Sequence, residues 1–281
     1  MNCLVSEIDC RKTQRGFGAN IMAVILDGGC RVSTMREGEP TLAGTLRVWE
    51  QIGRSTGAQA ISLRVLEFSP GLSPGFRNAE CDEVLYMLED LDSSGNSKPC
   101  IVFIDGRAYE AGPQTGIYVR PGQTFTVSNP ESSAALFVSA QCPEPAFPGE
   151  IGAPLIKPLN DAATETFPIV SLPDRRAVPT GDRWYRVLVD EQLGSTQVTQ
   201  FVGSIPPGRA PDHFHDYEEV LFILRGVGRM WAGDTSTPIA PGSCIYLPKG
   251  QVHCVENTGD NELRLLGVFY PAGSPAVRYE A

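Results

Sequence analysis

Two stretches of this chain occur twice. DEVLYMLED (82–90) aligns with EEVLFILRG (218–226), which places Glu83 on Glu219. IYVRPGQTFTVSN (117–129) aligns with IYLPKGQVHCVEN (245–257), which places Gly122 on Gly250 and Asn129 on Asn257. A duplicated chain must fold each copy as one supersecondary unit. The offset is 136 residues in the first block and 128 in the second, so the first copy carries eight extra residues between them. The turn-rich LDSSGNSKP (91–99) is the natural place for that insertion.

Within each copy the local pattern is β. VLFIL, RVLVD, TQVTQFVGSI and RLLGVFY are rich in β-branched and aromatic residues and are separated by Gly, Pro, Asn and Asp. No long stretch shows a 3.6-residue period; residues 38–51 have room for one helical turn, and residues 21–26 read as a strand. Residues 143–180 carry eight prolines, a density that breaks helices and interior strands. The expected architecture is all-β: a first barrel or sandwich in residues 1–145, a Pro-rich connector in 146–180 and a second barrel in 181–281.

The formal charge is −10 and no segment is densely basic, which argues against nucleic acid and anionic membranes as partners. No apolar run has the length of a membrane span. Arg11, Lys12 and Arg15 precede IMAVIL, but that run is short, closes at Asp27 and lacks a small-residue cleavage site. The expectation is a cytoplasmic protein. Its eight cysteines include no CxxC pair and read as buried free thiols. A homo-oligomer is compatible with the sequence.

The chain has three histidines in all. His213 and His215 stand one residue apart in PDHFHDYEE, and His253 follows in LPKGQVHCVEN. Residues two apart on a strand project to one side, and Glu219 shares that parity. Gly226 permits a tight turn, and Pro248-Lys249-Gly250 suits a type I turn leading to His253. If the two strands are neighbours, three imidazoles and one carboxylate converge on a divalent transition metal (Fe, Mn, Ni, Cu or Zn).

The spacing HxH-x3-E-x6-G (His213, His215, Glu219, Gly226) resembles the first motif of the cupin family. G-x5-PxG-x2-H-x3-N (Gly242, Pro248, Gly250, His253, Asn257) is similar to the second at every position. Only the leading glycine of the first motif, Gly208, is displaced, by one residue. With the duplication, the chain resembles a bicupin. The resemblance implies two double-stranded β-helix (jelly-roll) barrels, with the metal inside the C-terminal one. In the first copy the ligand positions hold Arg77, Ala79 and Phe125, with only Glu83 kept. That half is expected to hold no metal; Arg77 with Arg120 is its one candidate anion site.

The leading functional expectation is a metal-dependent enzyme of dioxygenase type acting on a small organic substrate. His213, His215, Glu219 and His253 are its candidate ligands, with Glu219 also the candidate catalytic base. The alternatives are a non-redox cupin enzyme (isomerase, decarboxylase or ureidoglycine-aminohydrolase-like hydrolase) and a non-catalytic small-molecule-binding cupin. Leu221 and Ile223 share the parity of Glu219 and are expected to line the pocket. Arg209, Tyr246 and Trp231 flank the motifs as candidates to orient substrate.

Overall fold

The computed structural model describes residues 22–89, 99–146, 149–157, 167–276 and 279–280; the expected insertion at 91–99 falls almost wholly outside them. The two halves form two barrels, each made of two facing antiparallel sheets. In the first, a seven-stranded sheet runs in the order Ile169–Ser171, Thr115–Val119, Asp82–Met87, Ala135–Cys142, Leu63–Phe68, Leu46–Ile52 and Thr41–Ala43. It faces a smaller sheet centred on Cys100–Ile104 and Thr124–Asn129. In the second, an eight-stranded sheet has Ser243–Leu247, Glu218–Arg225, Leu263–Tyr270 and Thr199–Ile205 at its centre. Gly228–Ala232, His253–Asn257 and His213–Phe214 lie on the sheet opposite. Residues 38–51 hold no helix: Thr41–Ala43 and Leu46–Ile52 pair as a hairpin. Their β-branched and aromatic members Val48, Trp49 and Ile52 fit a sheet packed on both faces.

Period two sorts each central strand between two cores. On Glu218–Arg225, Leu221 and Ile223 turn into the second barrel with Met230, Ile245, Leu265 and Phe269. Val220 and Phe222 turn outward and pack against the other barrel, with Val84, Tyr86, Val138, Val202, Tyr246 and Val268. A strand buried on both faces needs apolar residues at nearly every position. EEVLFILR and DEVLYM are therefore close to continuous hydrophobic runs. The large sheets of the two barrels share one core, back to back.

Strand pairing crosses the linear division expected from the sequence. Arg31–Thr34 pairs antiparallel with Ser243–Leu247, on the edge of the second barrel's large sheet. Leu26, Cys30 and Val32 join that barrel's interior. Reciprocally, Ile169–Ser171, inside the supposed connector, pairs with Thr115–Ile117 of the first barrel. Thr115–Val119 and Ser243–Leu247 are equivalent strands of the repeat. Each copy is thus edged by the segment that precedes the other. Glu150–Gly152 also pairs into the first barrel and Val178–Thr180 into the second, so the connector is partly sheet.

The duplication repeats a buried carboxylate between the barrels. The Tyr118 hydroxyl donates to Asp82, and the Tyr246 hydroxyl donates to Glu218. Glu218 also accepts from the backbone N–H groups of Gln59 (2.9 Å) and Ala60 (2.6 Å) in the other half. Glu218→Ala strands two backbone donors and a phenol. It is expected to lower stability by roughly 2–4 kcal/mol, since each buried group left unsatisfied costs about 1–3 kcal/mol. Urea unfolding of the variant beside wild type checks this; an unchanged midpoint would mean that water replaces the carboxylate at no cost.

Candidate metal centre

His213 and His253 are direct register partners across neighbouring antiparallel strands. His215 lies just beyond the short His213–Phe214 strand. Its carbonyl accepts from the N–H of Gly250 at 2.8 Å, which ties the first motif to the turn that opens the second. Gly250 adopts φ of +77°, a conformation that favours glycine. The ligand nitrogens of His213, His215 and His253 lie within 4.8 Å of one another, and no other such group of three occurs among the described residues.

Each ring is oriented by its surroundings. Nδ1 of His253 lies 2.8 Å from the carbonyl of Gln251, and Nδ1 of His213 lies 3.1 Å from that of Pro211. A carbonyl partner requires N–H at Nδ1, which leaves Nε2 as the nitrogen carrying the lone pair. The His215 ring stacks on Tyr217 (centroids 4.7 Å apart), which stacks on Phe269 (4.5 Å). Burial and the neighbouring His213 push the His253 pKa down to about 4, so it is a neutral imidazole at neutral pH. The Glu219 carboxylate sits at the edge of the group, Oε2 being 3.5 Å from Nε2 of His215. Burial raises its pKa to about 8. Three clustered imidazoles beside a buried carboxyl group fit one divalent transition metal ion, whose charge would favour the ionised acid.

The walls explain why one barrel keeps this site and the other does not. In the first, Glu83 is paired with Arg64 and accepts from Ser139 Oγ (2.7 Å) and Gln141 Nε2 (3.1 Å). The register of the sheets puts Phe201, Gly267 and Phe269 at the equivalent places in the second. A Cβ on Gly267 would lie 2.3 Å from the Phe201 ring, so glycine there lets an aromatic wall replace a salt bridge. Phe125, at the position of His253, packs on Phe76 in an apolar interior. Arg77 bonds to the carbonyl of Gly122 and to Glu150, while Arg120 lies over the Tyr118 ring.

A cavity of about 120 Å³ opens onto the histidines. Glu219, Leu221, Phe201, Val255, Leu265 and Arg183 are among its walls. Ile223 lies in the same apolar core but not on the cavity. The other expected substrate residues face elsewhere. Tyr246 is buried between the barrels against Glu218. Trp231 lies on the outer face of the small sheet, its Nε1 donating to Glu256 at 2.7 Å. Arg209 covers that ring at 4.4 Å and pairs with Asp212 at 3.1 Å. Arg183 and Phe201 stand on strands without a motif, and no local pattern in the sequence marks them. All six described cysteines are free and buried. Among the described residues no helix is long and apolar enough to cross a membrane.

The sequence profile described as "Cupin domain" matches residues 201–269. Auxin-binding protein 1 of Arabidopsis thaliana is 31% identical over 86 residues, 27% of this chain and 43% of that protein. The oxalate-binding protein of Thermotoga maritima is 35% identical over 67 residues, 23% of this chain and 55% of that protein. The chain thus spans about half the length of these curated relatives. The structure of oxalate decarboxylase from Bacillus subtilis at pH 4.6 superposes with a TM-score of 0.68 at 14% identity, over 85% of this chain and 76% of that one. This likeness includes both barrels.

Proposed function

Because the chain belongs to the cupin superfamily, as a bicupin whose intact metal motif lies only in the C-terminal barrel, we propose that this barrel is the catalytic half of a metal-dependent enzyme acting on a small organic carboxylate by non-redox chemistry of the decarboxylation class. The observation that carries the reading is the small cavity joining the three imidazoles to one guanidinium, Arg183. Its volume admits only a compact substrate. Its remaining walls are mostly apolar, which strengthens each polar contact inside. The names of two similar proteins, an oxalate-binding protein and an oxalate decarboxylase, support a small carboxylate over the dioxygenase expectation.

His213, His215, Glu219 and His253 would hold the ion, which supplies Lewis-acid polarisation of a bound oxygen. Arg183 would pair with a substrate carboxylate and fix its orientation. Loss of CO2 breaks a C–C bond and leaves the electron pair on carbon, which must then take up a proton. Glu219, the carboxyl group on the cavity wall, would deliver that proton when protonated and released from the ion, and would regain it from solvent. The apolar surfaces of Leu221, Val255 and Leu265 exclude water from that carbon.

The test is turnover of short mono- and dicarboxylates by protein loaded separately with Mn(II), Fe(II), Co(II), Ni(II) and Zn(II), with and without oxygen. The expected result is metal-dependent CO2 release that persists anaerobically. Arg183→Gln is expected to raise KM about tenfold, equivalent to ~1.4 kcal/mol of lost binding. Oxygen uptake in step with substrate loss would return the dioxygenase reading. Tight binding without turnover at any metal would make the protein a binder.

A further inference from the structure

A larger cavity, about 380 Å³, lies away from the metal centre, in the cleft between the two barrels. Its size falls within the roughly 300–1,000 Å³ typical of small-molecule pockets. The repeat supplies both of its sides. Tyr86 and Leu88 on one side are the equivalents of Phe222 and Leu224 on the other, and all four line it. The apolar lining is thus nearly symmetric, and the charges are not. The positions matching Glu89 and Leu136 of the first copy are Arg225 and Arg264 in the second, and these also line the cavity.

Arg225 and Arg264 are register partners on adjacent strands. Like charges directly opposite on a sheet are destabilising, so the pair calls for a counter-anion. Glu262 meets part of that need, 2.6 Å from Arg264. Nε of Arg264 is nevertheless buried without a hydrogen-bond partner, and the exposed Arg225 side chain shares the same Glu262, whose pKa both arginines lower. On the opposite side, Glu89 accepts from the side chain of Gln114. A protein of formal charge −10 has therefore gathered two guanidiniums at one end of an apolar cleft.

We propose that the inter-barrel cleft is a second ligand site, taking an organic monocarboxylate. Its charge lies against Arg225 and Arg264, and its apolar body runs between Leu88 and Leu224 over Tyr86 and Phe222. The site shares no residue with the metal cavity and stands independently of the proposed reaction.

Calorimetric titration of the full-length, metal-loaded protein with decanoate tests it, with decylamine as the oppositely charged probe. The expected result is saturable binding of one decanoate per chain and none of decylamine. Arg225→Gln with Arg264→Gln should weaken decanoate about tenfold or more, as loss of a charge-assisted contact does. Leu224→Trp should abolish binding by filling the cleft, and His213→Ala should leave it unchanged. If Leu224→Trp does not fold, the arginine double variant still decides. No binding of decanoate, equal binding of decylamine, full affinity in the arginine variant, or loss with His213→Ala would each overturn the proposal.

Discussion

His253→Ala is expected to take the metal content of the purified protein from near one ion per chain to near zero. The ring supplies one of three clustered nitrogens, and the Gln251 carbonyl fixes its tautomer. Changes to such supporting groups alone cost about 10–100-fold in metal affinity, so removing the ligand itself should exceed that range. Elemental analysis of the variant beside wild type reads the effect directly. A second readout is thermodynamic. At free metal about 100 times Kd, binding stabilises the fold by about 2.7 kcal/mol. A chelator should therefore lower the wild-type melting temperature and leave that of His253→Ala unmoved. His213→Ala should behave alike, since that half-buried ring carries little of the core. Wild-type metal content in both variants would refute the site. The converse substitution sharpens the point: Phe125→His in the first barrel should gain no ion, because Arg64 already neutralises Glu83 and its matching positions carry no second imidazole.

The clustering of the three histidines was legible because strand geometry converts spacing into direction. His213 meets His253 in register, as two neighbouring strands of matching parity require. His215 shows the limit: it lies beyond the strand, and the Gly250 N–H contact, not parity alone, holds it beside its partners. The duplication likewise fixed two barrels, since aligned blocks must occupy equivalent strands. Tyr246 was misplaced for a physical reason. Its strand, SCIYL, is buried on both faces, so no polar alternation shows which face meets the cavity. Arg209 and Trp231 lie next to the motifs in sequence, but on the outer face of the small sheet. Arg183 and Phe201 reach the cavity from neighbouring strands, and only sheet register brings them there.

Least legible of all was the exchange of edge strands, which joins residues more than two hundred positions apart. It carries the second large expectation: deleting the chain through Thr34 should unfold or aggregate the C-terminal barrel, although the deleted residues belong to the other half by sequence. Leu26 and Val32 are 6% and 7% exposed and sit in that barrel's interior. Burying a side chain of this kind contributes about 1.5–3 kcal/mol. With Cys30 and the ladder from Arg31 to Thr34, the loss approaches the roughly 5–15 kcal/mol that holds a domain folded. The deletion also exposes the edge of Ser243–Leu247, and an unpaired apolar edge is a template for association. The same segment touches the loop before His253. At Gly28, with φ of +65°, an added Cβ would lie 1.4 Å from the Gln251 side chain, and the Gln251 carbonyl orients His253. Val32→Asp provides a milder version, burying one charge without removing backbone. It should destabilise the protein by about 3–5 kcal/mol, the range for an uncompensated buried charge. Hydrogen exchange should show the strands nearest the arm, Ser243–Leu247 and Glu218–Arg225, opening first, with the first barrel's interior still protected. Uniform loss of protection across both barrels would mean instead that the shared core makes the chain one cooperative unit. Unchanged protection in both would mean that the arm only decorates the sheet it pairs with.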